Sequence, residues 1–152
     1  MAKVSFTKLG LKLDQEIKNI NWNEQIIEIK QYLPIEKKLL LIMDVINHSE
    51  DNNYANPIKI NVFTALKIIE YYTNINFTDK QKADFAKLYD LFKSSGLLFL
   101  ILENIPKEEL EEIEEGIEKS IKSFYSYKTS LLGIMDALTY DYDNTTFDME
   151  KI

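Results

Sequence analysis

Carboxylates are the side chains of this sequence with the number and spacing to do chemistry. Glu108, Glu109, Glu111, Glu112, Glu114 and Glu115 crowd the start of the longest predicted helix. A pair of such groups can run general acid–base or glycosidic chemistry when their surroundings hold one protonated and the other ionised. Nothing in this run separates an acid from a base. The same residues complement the positive end of the helix dipole, and Glu115–Lys119 and Glu118–Lys122 form i,i+4 pairs. A solvated helix face accounts for the run, and a net charge of −7 is modest for a decoy of nucleic acid.

The other chemical candidates are few. His48 is the one histidine, there is no cysteine, and all 18 basic residues are lysine. Nucleophiles, proton shuttles and transition-metal ligands come mostly from cysteine and histidine, and arginine supplies bidentate recognition of phosphate and guanine. Asp141-Tyr-Asp143-Asn opens like a calcium loop, but Thr146 stands where the loop needs glycine and Ile152 where it needs glutamate. No glycine-rich phosphate loop, serine elbow or HExxH segment is present. The expectation is a non-enzyme with no catalytic residue, no cofactor and no metal site. Its acidity also argues against a nucleic-acid partner.

The elements around these residues read as α+β: an N-terminal antiparallel β-hairpin or three-stranded sheet followed by four to five helices, the last long. Residues 1–152 form a single domain in this reading, β-rich over 3–32, helical over 34–140 and loosely ordered over 141–152. Val4 and Phe6, then Leu9, Leu11 and Leu13, alternate as a strand does, with Gly10 as a kink. Glu16–Trp22 and Gln25–Tyr32 flank Asn23-Glu24 as a two-residue hairpin that sets Ile20 opposite Ile27, with Trp22 and Ile29 on the same face.

After Pro34 the period changes. Ile35, Leu39, Ile42, Met43 and Ile46 mark the inner face of a helix over 34–48, followed by a polar loop, 48–53. Pro57 starts a helix through Tyr72, and Thr78-x-x-Gln81 is a capping box for a third helix ending at Gly96. Leu97–Glu103 is a short buried helix, too short to span a membrane. With no signal-peptide run at the N-terminus, the expected location is the cytoplasm, that of the host cell if a phage encodes the chain.

The last helix, from Lys107 to about Tyr140, carries apolar residues at Leu110, Ile113, Ile117, Ile121, Phe124, Leu131, Met135 and Leu138. A continuous helix of that length would be near 50 Å long. A second stripe of Gly116, Ser120, Ser123, Ser130, Gly133 and Ala137 lies about 100° around from the first, where small side chains admit a close neighbour. Each interior glycine costs roughly 1 kcal/mol of helix propensity, so a helix packed there would compensate. Together with Tyr127, these seven residues are the expected protein interface, the 48–56 loop coming second. Intrachain packing remains the other reading of the stripe, and core or boundary packing the other reading of Tyr125, Tyr127, Tyr140 and Tyr142.

The segment Ile27-Glu-Ile-Lys-Gln-Tyr-Leu-Pro34-Ile-Glu-Lys-Lys-Leu39 is a strand running into a helix through a Tyr-Leu-Pro-Ile hinge. It resembles small proteins of Gram-positive phages and prophages, as do Asn56-Pro57…Val62-Phe63 and Tyr72-Thr-Asn-Ile-Asn-Phe77-Thr. Such proteins are usually encoded among virion structural and assembly genes, and the sheet-then-helices layout is similar to that of tail assembly chaperones. The resemblance implies binding to other proteins during tail or virion assembly. The partner would be a phage tail or virion subunit, a homo-oligomer being compatible. The alternative is a phage-encoded inhibitor of a host defence protein.

Overall fold

The computed structural model describes residues 1–52 and 54–129, with side chains as far as Ser123. It is α+β, as the sequence leads one to expect. β1 (Ile17–Trp22) and β2 (Gln25–Lys30) form an antiparallel hairpin, and Ile20 lies opposite Ile27. Asn23 and Glu24 both take positive φ, 49° and 63°, the conformation that lets a two-residue turn follow the right-handed strand twist. Ile27 and Ile29 are buried, while Ile20 and Trp22 on the same face are half-covered.

Residues 3–13 do not add a third strand to the hairpin. Phe6–Leu9 is a 3-10 turn closed by Gly10 in the left-handed conformation, and residues 10–16 have no regular structure. Val4, Phe6, Leu9, Leu11 and Leu13 are each more than half exposed, so the alternation of this arm meets no sheet.

Helix α1 (Ile35–Ser49) starts directly after Pro34. A two-residue ladder follows in place of the expected loop, β3 (Glu50–Asp51) against β4 (Tyr54–Ala55). Asn56 then caps α2 (Pro57–Tyr72), its side-chain oxygen accepting from the Ile58 and Lys59 amides, with Pro57 at the first helical position. Buried residues at Phe63, Ala65, Leu66, Ile68, Ile69 and Tyr72 surround most of α2, which makes it the central helix.

Thr78 and Gln81 form the capping box of α3 (Asp79–Ala83). The expected third helix is two: a break at Asp84 separates α3 from α4 (Phe85–Ser94), beyond which the Phe85 ring meets that of Phe63 at 4.7 Å. Gly96, with φ 85°, turns the chain into α5 (Leu97–Glu103), which buries Leu97, Leu98 and Ile101. α6 runs over Lys107–Thr129. Its expected continuation to Tyr140, the 141–152 tail and the calcium-like segment lie outside the described residues.

The chain divides into two compact units, Met1–Ile113 and Glu114–Ile152, with the division inside α6. The first unit holds the core around Ile29, Leu33, Leu41, Val45, Ile69, Tyr72, Ile101 and Ile113. No helix among the described residues is long and apolar enough to cross a membrane.

Candidate functional site

A cluster of buried charge forms where the Leu33-Pro34 hinge brings α1 beside the first turn of α6. Lys38 Nζ donates to Glu109 Oε2 at 2.9 Å. Glu109 Oε1 accepts from the Leu33 amide at 2.8 Å and from the Tyr72 hydroxyl at 3.1 Å. The Lys38 ammonium also lies 3.4 Å from Glu112 and 4.6 Å from the centre of the Tyr32 ring, a cation–π contact.

Burial alone disfavours the Lys38 ammonium, but the hydrogen bond and charge of Glu109, with Glu112 behind it, outweigh that and hold its pKa above the ordinary lysine value. The Tyr72 hydroxyl is pushed up first by burial and then by the Glu109 charge. Both oxygens of Glu109 are occupied and Lys38 is only 2% exposed, so nothing here faces a substrate. The cluster therefore anchors α6 to the hinge and to α2. Neither Lys38 nor Glu109 stands out locally in the sequence, because a lysine in an amphipathic helix and a glutamate in an acidic run ordinarily face water.

Lys67 is also buried, its ammonium 3.6 Å from Glu70, while His48 and Asp51 lie nearer the surface. His48 Nδ1 lies 2.7 Å from the Asp44 carbonyl oxygen, and its ring leans on Phe63 at 5.3 Å. Asp51 accepts from Lys59 at 2.8 Å and from Asn56 at 3.2 Å, hydrogen bonds that hold its carboxyl below the usual aspartate value. Among the described residues no group of three His, Asp or Glu side chains is arranged to hold a metal ion. A cleft of about 390 Å³ lies between residues 13–17 and Lys30, Tyr32 and Pro34, with Asp14, Glu16 and Lys30 as its charged lining and no nucleophile.

Part of the expected interface falls on described residues. Gly116 and Ser120 are half-buried on α6 and Ser123 is exposed. Tyr127 lies on α6 beyond the described side chains, and Ser130, Gly133 and Ala137 lie outside the described residues.

An apolar surface that the sequence reading assigned to the core lies instead on α1. The helix buries Lys38, Leu41, Ile42, Val45 and Ser49. Ile35, Leu39 and Met43, expected on the inner face, are 56%, 54% and 57% exposed, and Leu40 beside them is 46% exposed. Spacing of four residues stacks Ile35, Leu39 and Met43 one above another on a single helix face. Leu39-Leu-Leu-Ile-Met43 is apolar at five consecutive positions, so periodicity could not say which part of a wide apolar arc turns inward.

No family model, curated protein or solved structure matches this chain.

Proposed function

We propose that this chain is a non-enzymatic protein that binds other proteins during phage tail or virion assembly, shielding an apolar surface of a subunit until that subunit polymerises. The observation that carries the reading is the outward face of α1, where Ile35, Leu39 and Met43 stand more than half exposed in one row. Full burial of one such side chain contributes about 1.5–3 kcal/mol, so a client covering the row gains enough for specific contact without an obligate complex. Contiguous exposed apolar side chains on an acidic protein mark an interaction surface, because they contribute nothing to solubility. The phage setting rests on the resemblance of the hinge segment 27–39.

Affinity capture with the tagged chain, in cells producing virions and read by mass spectrometry, tests the reading. Tail or capsid subunits are the expected catch. A host nuclease or other defence protein caught in their place would replace the assembly role with that of an inhibitor. Capture of no protein above a tag control would overturn both.

A further inference from the structure

The two edges of the β1–β2 hairpin are treated differently by the fold. On the β2 side the end of α2 closes the edge: Ile29 bridges to Thr73, the Glu28 amide donates to Asn74 Oδ1 at 3.0 Å, and Asn74 Nδ2 donates to the Ile26 carbonyl at 3.4 Å. On the other side, β1 pairs with β2 alone among the described residues. The Gln31 amide donates to the Glu16 carbonyl at 3.0 Å, which sets the parity of the ladder. Lys18, Ile20 and Trp22 bond across to β2, and Ile17, Asn19 and Asn21 direct their amides and carbonyls outward. An open edge of this kind is a template for another strand.

The N-terminal arm has the complementary properties. Leu9, Leu11 and Leu13 alternate as strand residues and are exposed, and among the described residues the arm's hydrogen bonds are to its own near neighbours. Its charge is opposite to that of the rest of the molecule: residues 1–13 hold three lysines and no acid, against 15 lysines and 25 carboxylates, net −10, in residues 14–152. Gly10, at φ 63° with nothing within 4 Å of an added Cβ, is a point where the arm can redirect cheaply.

We propose that the arm of one copy adds as a strand to the free edge of β1 in a second copy, its leucines covering the half-exposed Ile20 and Trp22. The arm's basic charge could also serve an anionic membrane, but a body of net −10 is repelled there, whereas a second copy offers it both an open edge and opposite charge. This pairing uses a different surface from the α1 face, so it stands or falls separately from the assembly role.

The test is the mass of the full chain in solution by multi-angle light scattering. Wild type should show a concentration-dependent doubling of the 17.8 kDa protomer, displaced to higher concentration by added salt. Asn19→Pro removes an outward amide, a change that edge strands tolerate, and Leu11→Lys spoils the arm. Each variant alone should stay at the protomer mass. Mixed, they should recover the doubled mass, because an intact arm then meets an intact edge. Where Asn19→Pro fails to fold, Leu11→Lys against wild type decides. A wild type that stays at 17.8 kDa throughout, or a doubling that survives Leu11→Lys, would overturn the proposal. Arm-dependent sedimentation of a monomer with phosphatidylserine vesicles would overturn it in favour of a membrane.

Discussion

Lys38 and Glu109, 71 residues apart in the chain, meet at 2.9 Å with side chains 2% and 7% exposed. Removing one member of a buried pair leaves the other charge uncompensated, at a cost of about 3–5 kcal/mol. Lys38→Met should lower stability by that amount in urea denaturation. Tyr72→Phe, which deletes one hydrogen bond to the same carboxylate, should cost less, about 1.5–3 kcal/mol. A Lys38→Met loss smaller than that of Tyr72→Phe would contradict the anchoring role of the pair.

Lys38 and Tyr72 of this cluster, together with Tyr71, whose hydroxyl donates to Asp44 Oδ2 at 2.5 Å, should set the alkaline limit of stability. Lys38, Tyr71 and Tyr72 all have folded-state pKa values raised above their ordinary 10.5, 10.0 and 10.0. For Lys38, burial opposes the shift and the Glu109 interactions produce it, while burial leads in both tyrosines. A raised folded pKa means that the native state holds its proton longer than the unfolded chain does. The contribution is fully present below the unfolded values and is lost as pH rises from them toward the folded ones. Urea midpoints should therefore fall steeply above about pH 10, and Tyr72→Phe should flatten that fall.

Asp51 titrates in the opposite sense. Hydrogen bonds from Lys59 and Asn56 lower its pKa, so its contribution is present above the ordinary aspartate value of 3.8 and is lost as pH falls below it. Asn56 also caps α2, accepting from two amides. Asn56→Ala should cost about 1 kcal/mol in thermal or urea unfolding at neutral pH. It should also shift the Asp51 titration, followed by NMR, upward.

Glu24 holds φ 63° in the hairpin turn, a left-handed conformation that costs a residue with a Cβ about 1–2 kcal/mol. Glu24→Gly, giving Asn-Gly at positions 23 and 24, should stabilise the protein by up to about 1 kcal/mol, after the greater chain entropy of glycine. Urea denaturation would show it as a raised midpoint with unchanged slope.

Elements that announce themselves locally were legible before any coordinates. Asn56-Pro57 starts α2, Thr78 and Gln81 cap α3, and the Asn23-Glu24 turn sets Ile20 opposite Ile27. What stayed hidden depends on partners distant in the chain. The burial of Lys38 follows from Glu109, and Asn74 closes β2 across 46 residues. The phase of α1 follows from packing on α2 and the first turn of α6, because its five-residue apolar run fits several rotations equally. The alternation at Leu9–Leu13 predicts a strand that does not form: Phe6–Leu9 is a 3-10 turn and residues 10–16 are irregular, because no sheet edge among the described residues pairs with them. Glu50–Asp51 and Tyr54–Ala55 form a small ladder that the polar composition of the region does not signal.

The most direct test of the assembly role is quantitative capture of one client by wild-type and Leu39→Asp chains in parallel. Leu39 is 54% exposed, so the substitution should leave the circular dichroism spectrum and urea midpoint close to wild type. The account predicts at least a tenfold loss of client with Leu39→Asp, equivalent to about 1.4 kcal/mol or more of lost contact. Equal capture by the two folded proteins would contradict the account and move the binding surface away from α1.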